Sequence, residues 1–323
     1  MNMLNEKTPF MKEAEKAKHK PNAVIQCLIF LLVFLISQIV AAIVPAIYIV
    51  QDFLKDDIVY IDKAIDLIFN TPTNLLIMSL YFTGVSTLVV IIYCKFIEKR
   101  SLFSMGFNKE KALKEYFKGI IIGFLIFSLA VLIAFITGSL KFNGFNGFSN
   151  IGIIMIFLGG FLIQGMCEEV TFRGYFFVSL TNRNSIIAAI IINSVFFSVL
   201  HMLNPGVSIL AVINIILFGI FASVYFMKTN SIWGVCAIHS IWNFVQGNFY
   251  GFQVSGLKTQ NSLFSFTALE SGKLINGGSF GMEGGLGVTI VLVIAIIVTI
   301  ILKKERKWVE IKCSAIFFKK NDV

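Results

Sequence analysis

Eight stretches of this chain run for roughly twenty residues with almost no charge, the length an α-helix needs to cross about 30 Å of hydrocarbon. They fall near 24–50, 75–94, 119–139, 151–180, 185–203, 208–227, 231–250 and 284–302. Inside lipid every backbone N–H and C=O must be satisfied internally, so a chain of this kind is restricted to helices or a closed barrel. Uninterrupted runs of this length select helices. Composition agrees: 57% of the 323 residues are hydrophobic and 14% are charged, against about 25% charged in soluble domains. The expected fold is all-α, a polytopic membrane protein of about eight transmembrane helices. A polar tail over 1–23 and a basic tail over 303–323 flank a single transmembrane domain over 24–302. The first apolar stretch follows about twenty polar residues and exceeds a signal-peptide core of roughly 7–15, so it reads as a retained helix.

The formal net charge of +9 is distributed as an orientation signal and not as a nucleic-acid footprint. Five lysines precede residue 23, seven Lys or Arg lie in 95–118, and seven more lie in 303–323. The 51–74 loop has only Lys55 and Lys63 beside Asp52, Asp56, Asp57, Asp62 and Asp66. Such alternation is the positive-inside pattern, and it assigns both termini and the 95–118 loop to the cytoplasm. The Ile-, Asn- and Lys-rich composition points to an AT-rich bacterial genome and so to a bacterial plasma membrane. Cys27, Cys94, Cys167, Cys236 and Cys313 lack metal-type or disulfide-framework spacing and read as packing residues. Arg100–Phe107 reads as an interfacial turn, the Gly- and Ser-rich stretch near 251–281 as a mobile loop, and Asn204-Pro205-Gly206 as a sharp reversal.

Five ionisable groups interrupt the apolar runs: Glu168, Glu169 and Arg173 in the fourth, His201 in the fifth and His239 in the seventh. A charge at the bilayer centre costs roughly 2.5–3.5 kcal/mol on insertion scales, so these groups are expected to face a protein interior or a wet cavity. At about 1.5 Å per residue, Glu168 lies roughly 18 Å above Leu180, His201 roughly 22 Å above Ile186, His239 roughly 12 Å above Ser231 and Asn243 roughly 18 Å above it. Three helices thus bring polar groups to a similar level.

Helical spacing separates the two carboxylates. Glu169 and Arg173 are four apart and share a face, with the acid N-terminal to the base as such pairs prefer, while Glu168 points about 100° away. Their pairing leaves Glu168 as the free carboxylate. His239 and Asn243 project together, as do Asn193, Phe197 and His201, with the phenyl ring able to wall a site. One carboxylate and two imidazoles can hold and deprotonate a water, and Asn and His N–H groups suit a developing oxyanion. The chemistry that follows is hydrolysis of an acyl bond, a peptide first among them.

The same residues form three ordered motifs. Glu168-Glu169-Val170-Thr171-Phe172-Arg173 resembles EExxxR, Phe197-Ser198-Val199-Leu200-His201 resembles FxxxH, and His239-Ser240-Ile241-Trp242-Asn243 resembles HxxxN. Together they resemble the CAAX-protease and bacteriocin-processing family (CPBP, or Abi) of intramembrane proteases, which includes the Ras-converting endopeptidase. The likeness covers about 160–245, with a softer one over Arg100–Phe107. It implies an eight-helix membrane fold and an intramembrane glutamic endopeptidase without a cofactor. Carried over, Glu168 and His201 activate water, His239 and Asn243 stabilise the oxyanion, and Glu169 and Arg173 hold the geometry, with Phe197 as support.

Other readings use the same residues. Glu168, His201 and His239 form a His2Glu set that could hold zinc; a bacteriocin-immunity or regulatory protein could use the cluster to bind a peptide without cleaving it; and a proton-coupled transporter could use it as a relay. The expected partners are a peptide or protein substrate, free or membrane-anchored, and the lipid bilayer, with no nucleic acid.

Overall fold

The computed structural model describes residues 4–55 and 72–302. Most of the acidic 51–74 loop, the basic tail and Cys313 therefore lie outside the described residues. Among the described residues eight apolar helices occur where the hydropathy places them: α1 (Ala23–Lys55), α2 (Thr73–Ile92), α3 (Ala112–Ile136), α4 (Ile151–Glu169), α5 (Ile186–Leu200), α6 (Ile209–Thr229), α7 (Ile232–Phe244) and α8 (Leu286–Ile301). Five of them, some lengthened by adjoining helical turns, are long and apolar enough to cross a membrane, as in an integral membrane protein. At about 1.5 Å per residue, α5, α7 and α8 fall short of about 30 Å.

α4 continues without a break through a π-helical stretch, Val170–Phe177, and a last turn, Val178–Leu180, so that Ile151–Leu180 is one 30-residue span. A π turn bonds i to i+5 and is frequent at functional sites. This one begins immediately after Glu169. α7 is the central helix, buried at every position from Ile232 to Asn243 except Trp233. Lipid tails are as apolar as leucine, so membrane helices gain little by hiding apolar area from lipid and associate through close packing of small residues. Gly119 and Gly123 of α3 and Gly165 of α4 do this around α7. A Cβ on Gly119 would lie 2.3 Å from Gly234 O, one on Gly123 2.7 Å from Ile238 O, and one on Gly165 2.6 Å from Ser240 N. These glycines set His239 against α4.

Three peripheral segments differ from expectation. The 251–281 stretch is folded: β2 (Phe264–Ala268) pairs antiparallel with β1 (Leu140–Phe145), with an irregularity between Phe142 and Gly144. Phe142, Phe264, Phe266 and Tyr250 supply ring contacts across this cap, an aromatic density that a Gly/Ser count overlooks. The N-terminal tail is not wholly solvated, because a short helix, Pro9–Ala14, buries Phe10, Met11 and Ala14, and Phe10 stacks on Phe226 at 4.2 Å.

The Arg100–Phe107 turn keeps Leu102 and Phe103 exposed, as an interfacial turn would, but its other face is wedged inward. Ser104 and Met105 are buried in a 3₁₀ turn closed by Gly106 at φ 86°, where a Cβ would strike the Phe226 ring. Beside it Arg100 Nε meets Glu98 Oε2 at 2.7 Å in a buried pair, and Ser179 Oγ donates to both Glu98 oxygens at 3.2 and 3.1 Å. Burial pushes the Glu98 carboxyl above the usual carboxylate range, although Arg100 and Ser179 pull the other way.

Candidate active site

The long helix α4 presents two polar faces. On one, Glu169 and Arg173 form the expected i,i+4 pair, Nη1 to Oε1 3.0 Å, with both side chains 0% exposed. On the other, Gln164 and Glu168 are also four apart, and Gln164 Nε2 donates to Glu168 Oε1. Glu168 is therefore not wholly free: one oxygen is held, while the other, Oε2, is buried and has no hydrogen-bond partner.

Both histidines reach that second oxygen. His239 Nε2 lies 3.6 Å from Glu168 Oε2, and His201 Nε2 lies 3.8 Å from it. Each imidazole is fixed through its other nitrogen. His201 Nδ1–H donates to Phe197 O at 2.7 Å, and His239 Nδ1–H donates to Glu169 Oε1 at 2.7 Å. In both rings the Nδ1 bond selects the tautomer and aims Nε2 at the carboxylate. The Glu169–Arg173 pair, expected to be a brace within α4, is thus also the anchor of an α7 imidazole.

α5 ends at Leu200, and His201 is its C-cap residue, a turn earlier than the apolar run suggests. The chain reverses through Pro205 and Gly206, the latter at φ 73°, a conformation that glycine adopts without strain. Phe197, one turn before His201, packs its ring 4.4 Å from the Arg173 guanidinium carbon and 4.7 Å from the His201 ring. The first is a cation–π contact in a desolvated setting. Asn193, which shares their helical face, stays out of the cluster and donates to Ser223 Oγ at 3.3 Å.

Asn243 Nδ2 donates to Gln164 Oε1 at 2.9 Å, so one amide side chain joins Asn243 to Glu168. Gln164 escaped the sequence reading because it carries no charge, although its spacing from Glu168 was available. A cavity of about 30 Å³ lies beside His201, His239 and Asn243, walled by Phe197, Phe218 and Trp242. That volume suffices for a water or two. Ser255 and Glu283 also line it, and the Glu283 carboxylate accepts from Ser255 N at 2.7 Å and Ser255 Oγ at 2.9 Å. Asn214 Nδ2 pins the same segment through Glu283 O at 2.7 Å and Gly285 O at 2.9 Å. No sequence periodicity pointed to these residues. Among the described residues no group of three or more His, Cys, Asp or Glu side chains is arranged to hold a metal ion.

These side chains lie in a stretch that is similar to a known family. Residues 149–245 match the family model described as type II CAAX prenyl endopeptidase Rce1-like. Over that stretch the chain carries an Rce1-like domain, in agreement with the CAAX-protease resemblance of its three motifs, and Glu168, His201, His239 and Asn243 all fall inside it. No curated protein and no solved structure matches the chain.

Proposed function

We propose that the protein is an intramembrane endopeptidase in which Glu168 is the general base. The observation that carries this reading is the unpartnered Oε2 of Glu168 with two fixed imidazoles 3.6 and 3.8 Å away. Both separations exceed a direct hydrogen bond, and at such distances an intervening water is the first thing to consider. A water beside Oε2 can hydrogen-bond to the carboxylate and to an imidazole. Glu168 takes its proton as the oxygen attacks a peptide carbonyl, His201 orients it, and the proton then passes to the leaving amine.

On this reading Asn243 Nδ2 and His239, in its doubly protonated form, donate to the oxyanion. Removing one such donor typically costs about 10²–10³ in kcat, and a positioned general base contributes about 10²–10⁴. Glu169 and Arg173 hold His239 in place, with Phe197 lying against both Arg173 and His201. The cavity admits water but not a peptide, so a substrate residue that enters it displaces the Ser255–Glu283 segment.

The test is cleavage of a peptide library by the full-length protein in proteoliposomes. Glu168→Gln is expected to abolish cleavage, and a chelator to leave it intact. Loss of activity on chelation, restored by zinc, would move Glu168, His201 and His239 into the metal-ligand role. Cellular function that survives Glu168→Gln would favour a peptide-binding protein without proteolysis.

A further inference from the structure

A second cavity, far larger than the first, opens between α3, α6 and α8, and none of the glutamate–histidine cluster lines it. Its volume is about 620 Å³, within the roughly 300–1,000 Å³ of small-molecule sites. At one end the walls touch: a Cβ on Gly287 of α8 would sit 3.2 Å from Ala130 O of α3. Toward the other end the helices part, leaving a wedge lined by apolar groups such as Leu125, Leu129, Phe221, Val291 and Val298. From Lys118 to Leu129 the wedge runs about 16 Å at 1.5 Å per residue. One leaflet of the hydrocarbon core is about 15 Å.

The open end is charged. Lys111, Lys118 and Lys228 stand around it, and among the described lining residues Glu115 is the only acid, so that lining carries two net positive charges. Lys111 Nζ donates to Thr229 O at 2.8 Å, Lys228 Nζ donates to Thr299 O at 2.9 Å, and Lys118 pairs with Glu115 at 3.4 Å. An ammonium has three N–H bonds, so Lys111 and Lys228 each keep donors beyond the bond described. Glu115 Oε2 is buried without a hydrogen-bond partner. Tyr225, also in the lining, packs against Gly234 of α7.

We propose that this wedge is a binding site for an anionic phospholipid of the surrounding bilayer. Its phosphate lies among Lys111, Lys118 and Lys228, a headgroup hydroxyl donates to Glu115 Oε2, and an acyl chain fills the space between α3 and α8. The charge favours an anionic over a zwitterionic headgroup, as basic pockets between membrane helices generally do. The unpartnered carboxylate oxygen favours a headgroup that carries a hydroxyl, and phosphatidylglycerol has both properties. α3 is at once a wall of the wedge and, through Gly119 and Gly123, the support of α7. An occupied wedge therefore fixes the helix against which His239 is packed.

The test is native mass spectrometry of the full-length protein taken from vesicles of equimolar phosphatidylglycerol and phosphatidylcholine. One phosphatidylglycerol is expected to be retained, with a preference on the order of tenfold. Lys111→Gln with Lys228→Gln should remove the preference, and Ala295→Trp, which fills the wedge, should remove the bound lipid. Val298→Phe serves the same purpose should the tryptophan variant misfold, and thermal unfolding in detergent verifies folding of each. Equal retention of the two lipids overturns the proposal, as does a preference that survives the double substitution. Retention undiminished in a folded wedge-filled variant overturns it too, since the lipid would then sit on the lysines alone.

Discussion

His239 Nδ1 and Arg173 Nη1 converge on the same oxygen, Glu169 Oε1, at 2.7 and 3.0 Å. One buried carboxylate therefore neutralises a guanidinium on its own helix and orients an imidazole on another. The two tasks separate on substitution. Glu169→Gln leaves Arg173 buried without a counter-charge, a loss of about 3–5 kcal/mol where a buried pair is broken from one side. Thermal unfolding in detergent should show a clear fall in Tm together with loss of cleavage. Glu168→Gln, at a carboxylate with 25% exposure and, among the described residues, no Arg or Lys salt bridge, should lose cleavage with Tm little changed.

Gln164 bridges Asn243 and Glu168. Gln164→Ala is expected to lower kcat by about tenfold with KM near its original value, since the lost bonds orient reacting groups and do not bind substrate. Cleavage kinetics of Gln164→Ala, Asn243→Ala and the double variant form a cycle. Groups in one network give non-additive effects, and additive losses would show that the bridge is mechanistically silent.

Gly165 sets the spacing between α4 and α7. In Gly165→Ala the new Cβ would lie 2.6 Å from Ser240 N and 2.8 Å from Ser240 Cα, and backbone cannot yield as a side-chain tip can. The expected result is reduced thermal stability and loss of cleavage, since His239 immediately precedes Ser240. Gly152 lies on the same helix with nothing within 4 Å of its added Cβ. Gly152→Ala should be neutral or stabilising by up to about 1 kcal/mol.

Glu283 fastens the cap over the cavity through two bonds to Ser255. Glu283→Ala should speed hydrogen exchange of the amides in 250–285 while leaving those of α4 unchanged, the signature of local opening. If cap opening limits substrate entry, the same variant cleaves long peptides faster. Unaltered exchange in 250–285 would show that the segment is held by Asn214 and the β1–β2 pairing alone.

What the sequence made legible was whatever follows from helical periodicity and hydropathy. The eight apolar runs, the Glu169–Arg173 pairing, the divergence of Glu168 and the common depth of His201, His239 and Asn243 all rest on local spacing. Less legible were relations between segments distant in sequence. Glu283 lies 82 residues from His201 in a glycine-rich stretch with no period to read, and Phe10 finds Phe226 across more than two hundred residues. Gln164 is a different case, since its i,i+4 relation to Glu168 is local, but an uncharged amide gives no hydropathy anomaly to draw the eye. The end of α5 at Leu200 is set by the reversal at Pro205–Gly206 and not by any loss of apolar character.

The central claim is that Glu168 acts as a base toward water, and comparative peptidomics of cells carrying the wild-type protein or Glu168→Gln tests it most directly. With equal amounts of both proteins in the membrane, at least one cleavage is predicted to be present with the wild type and absent with the variant. An identical set of cleavage products in the two would contradict the account.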